Sequence, residues 1–126
     1  MGLLMKKDIR KQIYDKYQGH CAYCGCELEY KDMQIDHITP IFHNIKGKNP
    51  YGVIQGTDDI ENYNPSCRAC NNRKSSFTIE VFRNELEKTH ERMLRDSPNY
   101  RQMIRYGQIK LINEGKIKFF YEKVSQ

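Results

Sequence analysis

Two Cys-x-x-Cys pairs, Cys21-Ala-Tyr-Cys24 and Cys67-Arg-Ala-Cys70, constrain this chain more than any other feature. Two residues between thiolates let both sulfurs turn toward one ion, and two such knuckles complete a tetrahedral zinc site with no open position. A closed site of this kind staples a fold and leaves no place for a substrate, so the expected zinc is structural. Gly25 suits the first knuckle, because the chain often needs positive φ just after the second cysteine. Redox-active Cys-x-x-Cys motifs and buried free thiols are the alternatives, and two pairs in one small chain favour zinc over both. The fifth cysteine, Cys26, reads as a spare thiol able to compete with Cys24. An odd total argues against a closed disulfide framework.

A chain of 126 residues, 38% of them hydrophobic, suits one domain with one modest core. Charged residues at 29% and aromatics at 11% exclude a disordered tail. No stretch approaches about 18 apolar residues, so no membrane span is expected. The beginning of the chain lacks a signal-peptide pattern, which with the cysteine usage points to the cytoplasm. The net charge of +5 is unevenly distributed: residues 1–20 carry +3, residues 21–66 carry −4 and residues 67–126 carry +6. A polyanion is drawn to the two ends and cations to the middle.

Periodicity predicts a helix over 5–18, with Ile9, Ile13 and Tyr17 on one face and Gly19 as its stop. Met33 to Ile38 alternates and reads as a strand closed by Thr39-Pro40. Residues 43–59 read as a long loop, rich in Gly, Asn-Pro and Asp-Asp signals. A short helix is expected at 68–75. Thr78 is an N-cap candidate for a helix running to about Leu94, with Phe77 and Phe82 as a staple. Ser97-Pro98 begins a further helix expected to end before Gly115, and Lys116 to Val124 reads as a last strand.

The 42 residues between Cys24 and Cys67 exceed the spacing of a simple zinc ribbon, about 15–20. The insertion holds Asp36-His37 and Asn62, and Asn71 follows the last cysteine. A carboxylate and an amide oxygen are hard ligands suited to Mg(II) or Mn(II). A neighbouring imidazole titrates near neutral pH and can take a proton from water. Together these groups can carry out metal-assisted hydrolysis of a phosphodiester. In a regular strand Asp36 and His37 point to opposite faces, so they reach one site only at a strand end or bend.

The order Cys-x-x-Cys, Asp-His, Asn, Cys-x-x-Cys-Asn-x-x-Lys resembles the HNH nucleases with the ββα-metal fold. The stretch from Gly56 to Lys74 is especially similar, and the resemblance spans about residues 17–83. It implies an α+β chain: one domain over 1–126, with a zinc-stapled core at about 17–83, an N-terminal helix and a helical extension at about 84–126. It implies a metal-dependent DNA endonuclease. Asp36 and Asn71 would hold one catalytic Mg or Mn ion, and His37 would be the general base. Asn62 would organise the loop and help orient His37, and Cys21, Cys24, Cys67 and Cys70 would hold the structural zinc. The ion would stabilise the phosphorane charge and the leaving 3′ oxygen, giving 5′-phosphate ends.

The family most often has His where this chain has Asn71, and the arrangement is similar to the HNN variant seen in phage recombination endonuclease VII. That likeness suggests structure-selective cleavage of branched DNA as a narrower reading. A zinc module that binds DNA or a protein without cutting is the other alternative. Asn71 could instead merely replace a knuckle glycine, and Asn62 could cap the turn before Pro65. Arg68, Arg73 and Lys74 are the candidate phosphate contacts on the basic side of the second knuckle.

Overall fold

The computed structural model describes residues 3–42 and 54–124, with side chains from residue 7 onward. The expected loop over 43–59 therefore lies largely outside the described residues. In chain order the elements are α1 (Leu3–Lys16), β1 (Gln34–His37), β2 (Tyr63–Ser66), α2 (Arg68–Lys74), α3 (Ile79–Glu87), α4 (Thr89–Asp96), α5 (Pro98–Arg105) and α6 (Phe120–Val124). This is the expected α+β class, with a two-stranded sheet followed directly by α2.

The chain divides into two compact units. One joins residues 1–79 to 119–126; the other is residues 80–118. The expected extension over 84–126 is therefore shared out, its last residues returning to the first unit.

β1 and β2 pair antiparallel, with Ile35 opposite Pro65, Asp36 opposite Asn64 and His37 opposite Tyr63. The sequence reading did not anticipate β2, because Asn64-Pro65 disfavours a strand. Tertiary partners override that preference. Pro65 lacks an N–H, but its carbonyl accepts from Ala22 N–H in the first knuckle at 2.9 Å. Lys16 at the end of α1 donates to Tyr63 O at 2.8 Å. All four β2 residues are buried.

The core of the first unit is small: Ile13 of α1, Cys21, Ala22 and Tyr23 of the knuckle, then Leu28, Met33, Tyr63 and Phe119. Tyr23 meets Phe119 edge-on at 5.3 Å. The segment expected as a last strand instead forms α6. Its first free N–H groups find acceptors in the knuckle, Phe120 N–H on Tyr23 O at 3.0 Å and Tyr121 N–H on Ala22 O at 2.9 Å. Gly25 makes this docking possible: its φ is +82°, and a Cβ there would lie 2.6 Å from Phe120 Cδ1.

In the second unit the helix expected from Thr78 to Leu94 is interrupted at Lys88, giving α3 and α4. Main-chain bonds Lys88 N–H to Asn84 O and Arg92 N–H to Lys88 O still bridge the interruption. Ser97 caps α5 as expected, accepting from Tyr100 N–H at 3.2 Å. That helix stops at Arg105 rather than near Gly115. Gly107 at φ +73° turns the chain, with Gly107 N–H on Ile104 O and Gln108 N–H on Met103 O closing the end. Arg83 then holds Ile117 O at 2.8 Å, and Glu87 accepts from Ile117 N–H at 2.9 Å.

Candidate active site

The first feature of the site is a sulfur cluster. The Sγ atoms of Cys21, Cys24, Cys67 and Cys70 all lie within 4.8 Å of one another. Zinc–sulfur bonds of about 2.3 Å at tetrahedral angles give S···S edges of about 3.8 Å. The Cys24–Cys67 separation is 3.8 Å. The four cysteines are thus positioned to hold a metal. Each knuckle is locally built: Gly25 N–H bonds Cys21 O at 3.0 Å, and Cys67 Sγ accepts from Cys70 N–H at 3.3 Å as the N-cap of α2. A hydrogen bond from the Cys70 thiol holds Cys21 down at about 4 and pushes Cys70 up. Cys26 stands outside the cluster. Burial and the Cys24 and Cys67 sulfurs push its thiol up to about 12.

The second feature is an open cleft of about 150 Å³ where β1 meets α2. Asp36, His37, Asn71, Ser75 and Ser76 line it. β1 ends at His37, so two consecutive residues of opposite strand facing both reach this cleft.

Asp36 is 3% exposed. Tyr23 Oη donates to Asp36 Oδ2, and Lys74 Nζ approaches Oδ2 at 3.2 Å and Oδ1 at 3.3 Å. Burial raises the carboxyl above the usual range, while Tyr23 and Lys74 draw it back down. Burial likewise lowers Lys74, opposed by Asp36. An ionised carboxylate has about four lone-pair sites, so these contacts leave room for one more ligand on the cleft side. The carboxylate is held further through Tyr23, which accepts from Asn64 Nδ2 at 3.3 Å; Asn64 Oδ1 in turn accepts from Lys16 at 3.0 Å.

His37 is different. Its side chain is 36% exposed and its Nε2 lies 2.9 Å from Asp58 Oδ1. Its ring meets the Tyr63 ring edge-on at 5.2 Å. Tyr63 Oη donates to Asp58 at 3.0 Å.

Asn62 clamps the backbone rather than the imidazole. It accepts from Thr39 N–H at 2.8 Å and donates to Thr39 O at 2.9 Å and Thr57 O at 2.8 Å. These bonds tie the exit of β1 to the segment carrying Asp58. Gly56 allows the two strands of chain to meet: a Cβ there would lie 1.9 Å from Thr39 O.

Residues 21–77, which contain both cysteine pairs, Asp36, His37, Asn62 and Asn71, match the family model described as HNH endonuclease. That stretch is similar to HNH endonuclease domains. The chain is 29% identical over 85 residues to the "SPbeta prophage-derived putative HNH endonuclease YoqL" of Bacillus subtilis (strain 168), covering 64% of this chain and 35% of that protein. It therefore spans about a third of that relative's length. Among solved structures, the type II-C Cas9 enzyme from Actinomyces naeslundii is similar with a TM-score of 0.48 and 19% identity, over 77% of this chain and 10% of that one.

Within the matched stretch, Arg68 and Arg73 are exposed on α2. Lys74 differs from its expected place at a phosphate. It is 0% exposed, and besides Asp36 its ammonium donates to His37 O at 2.8 Å. An Asn-x-x-Lys spacing on a helix sends Asn71 and Lys74 to one face, and here that face packs on β1. Tyr23 and Asp58 are the two site neighbours that the sequence reading passed over. Tyr23 carries no signal beyond an aromatic between the two cysteines of the first knuckle. Asp58 stands in an Asp-Asp pair four residues before Asn62, which reads equally well as a turn. No helix among the described residues is long and apolar enough to cross a membrane.

Proposed function

We propose that this protein is a metal-dependent endonuclease that hydrolyses DNA phosphodiester bonds in the cleft between β1 and α2. The observation that carries this reading is the convergence of Asp36, His37 and Asn71 on one open cleft of the HNH domain. Cys21, Cys24, Cys67 and Cys70 bind a structural zinc, which suits four sulfurs of tetrahedral spacing. Asp36 and Asn71 offer an anionic and an amide oxygen, a hard donor pair that fits Mg(II) or Mn(II) better than zinc. That cation, when bound, supplies charge stabilisation for the phosphoryl group and the leaving oxygen.

The chain's own residues do the rest. His37, at the rim, takes the proton from the attacking water. Asn62 holds the strand exit and the following loop at a fixed distance, so the imidazole and the Asp36 carboxylate keep one spacing. Tyr23 and Lys74 hold that carboxylate in one orientation and keep a buried anion compensated. Arg68 and Arg73, exposed on α2, contact the DNA backbone on either side of the cut.

The test is nicking of supercoiled plasmid with Mg(II) or Mn(II) by wild type and by His37→Ala. Cleavage by wild type alone supports the assignment, and equal cleavage by His37→Ala removes His37 as base. One observation favours a second reading, a zinc module that binds without cutting: Lys74 already compensates Asp36. Absence of metal-stimulated cleavage on every DNA form, with binding intact, would select it.

A further inference from the structure

We infer that Asp58 is a positioning residue for the general base, holding His37 in the tautomer with the proton on Nε2. This inference rests on the endonuclease reading above.

Asp58 Oδ1 lies 2.9 Å from His37 Nε2, a hydrogen-bond distance. A carboxylate only accepts, so the hydrogen of this bond sits on Nε2. In a neutral imidazole the other nitrogen, Nδ1, then carries the lone pair, and it is the atom able to take a proton from water. Among the described residues no protein group bonds Nδ1. Asp58 is itself fixed, since Tyr63 Oη donates to the same Oδ1 at 3.0 Å and to Asp58 O at 3.0 Å. The Tyr63 ring also stands edge-on to the imidazole, so one tyrosine holds both the base and its orienter. Asn62, through Thr57 O and Thr39, ties together the two chain segments that carry the pair.

The arrangement has the logic of a base oriented by an acceptor on its far nitrogen. Asp58 is two-thirds exposed, at 66% of its side chain. Its removal should therefore spare the fold while releasing the ring. An electrostatic role in recruiting DNA is disfavoured, because a carboxylate at the rim repels phosphate.

The experiment compares wild type, Asp58→Asn, Asp58→Ala and His37→Ala, each zinc-loaded and full length. Single-turnover nicking is followed across DNA concentrations, and long-range ¹⁵N–¹H NMR reads the His37 tautomer without the divalent ion. Asp58→Ala should lower the maximal rate by roughly 10–100-fold, the scale seen when an orienting partner is lost. Half-saturating DNA and melting temperature should stay within about twofold and a few degrees. The NMR spectrum should change from one Nε2–H tautomer to a mixture. Asp58→Asn retains an acceptor without the charge, so it should keep the tautomer and fall between wild type and Asp58→Ala in rate. Wild-type rates in Asp58→Ala, or an unchanged tautomer, overturn the inference while leaving His37 as base. Full cleavage by His37→Ala removes His37 as base, and the Asp58 role with it, whereas absence of metal-stimulated cleavage by wild type overturns the endonuclease reading itself.

Discussion

The sulfur cluster and the cleft share the segment from Ser66 to Lys74, yet they are built on opposite principles. The cluster is made of two local pieces: two four-residue knuckles, each with its own main-chain bonds, which the fold brings together across 43 residues to set four soft donors within 4.8 Å. The cleft is assembled from a distance. Asp36 depends on Lys74, 38 residues away, and His37 meets Asp58, 21 residues away. A closed set of thiolates leaves no coordination position for a reactant, whereas the cleft is open and lined by oxygen and nitrogen donors. One set of donors closes on itself, and the other faces an open cleft.

Removing the cluster's metal should have the largest effect. Structural zinc contributes on the order of 10 kcal/mol in small domains. Strong chelation, or Cys70→Ser, should therefore melt the first unit, read as loss of far-UV circular dichroism. Helical signal that survives complete zinc loss would mean the cluster is not the clamp.

His37→Ala comes next, with nicking reduced by roughly 10²–10⁴-fold at an unchanged melting temperature. A variant that loses both together would tie the cleft to the fold as closely as the cysteines are tied.

Lys74→Met should cost about 3–5 kcal/mol in urea unfolding, because it leaves the Asp36 carboxylate buried without its counter-charge. Unchanged stability with a weaker salt dependence of DNA binding would restore Lys74 to the phosphate role.

Asn62→Ala breaks three side-chain bonds to backbone groups, the two to Thr39 partly buried and the one to Thr57 exposed, and should cost about 1–3 kcal/mol. Nicking should fall with it, since Thr39 and Thr57 are no longer tied. The smallest effect is expected from Arg68→Ala or Arg73→Ala, each reducing the slope of log affinity against log salt by about 0.9 if it neutralises one phosphate. Slopes equal to wild type would move the DNA away from this face of α2.

Much of the cluster and part of the fold were legible in the chain. The Cys-x-x-Cys spacing, the α1 stripe and the Ser97-Pro98 cap are local signals, and each is written in neighbouring residues. β2 was not legible, because Asn64-Pro65 disfavours a strand until Ala22 bonds the Pro65 carbonyl and Lys16 the Tyr63 carbonyl. α6 was hidden for a similar reason: aromatic Phe119-Phe120-Tyr121 suits a strand until the knuckle carbonyls accept its N–H groups. The helix that begins at Ser97-Pro98 was read too long, because the apolar Leu111 and Ile112 extend the helical pattern past its true end at Arg105.

The amino-acid order by itself determined the two cysteine pairs, the elements with strong caps, and the candidates Asp36, His37, Asn62 and Asn71. Only the tertiary structure decided which way each candidate faces and what it touches. Pairing of β1 with β2 and packing of α2 on β1 turn Lys74 inward to Asp36, and the Asn62 clamp joins the exit of β1 to the segment that carries Asp58. The physical reason is range: knuckles and caps close within a few residues, whereas an ion pair between a strand and a helix forms only after the chain has folded back on itself.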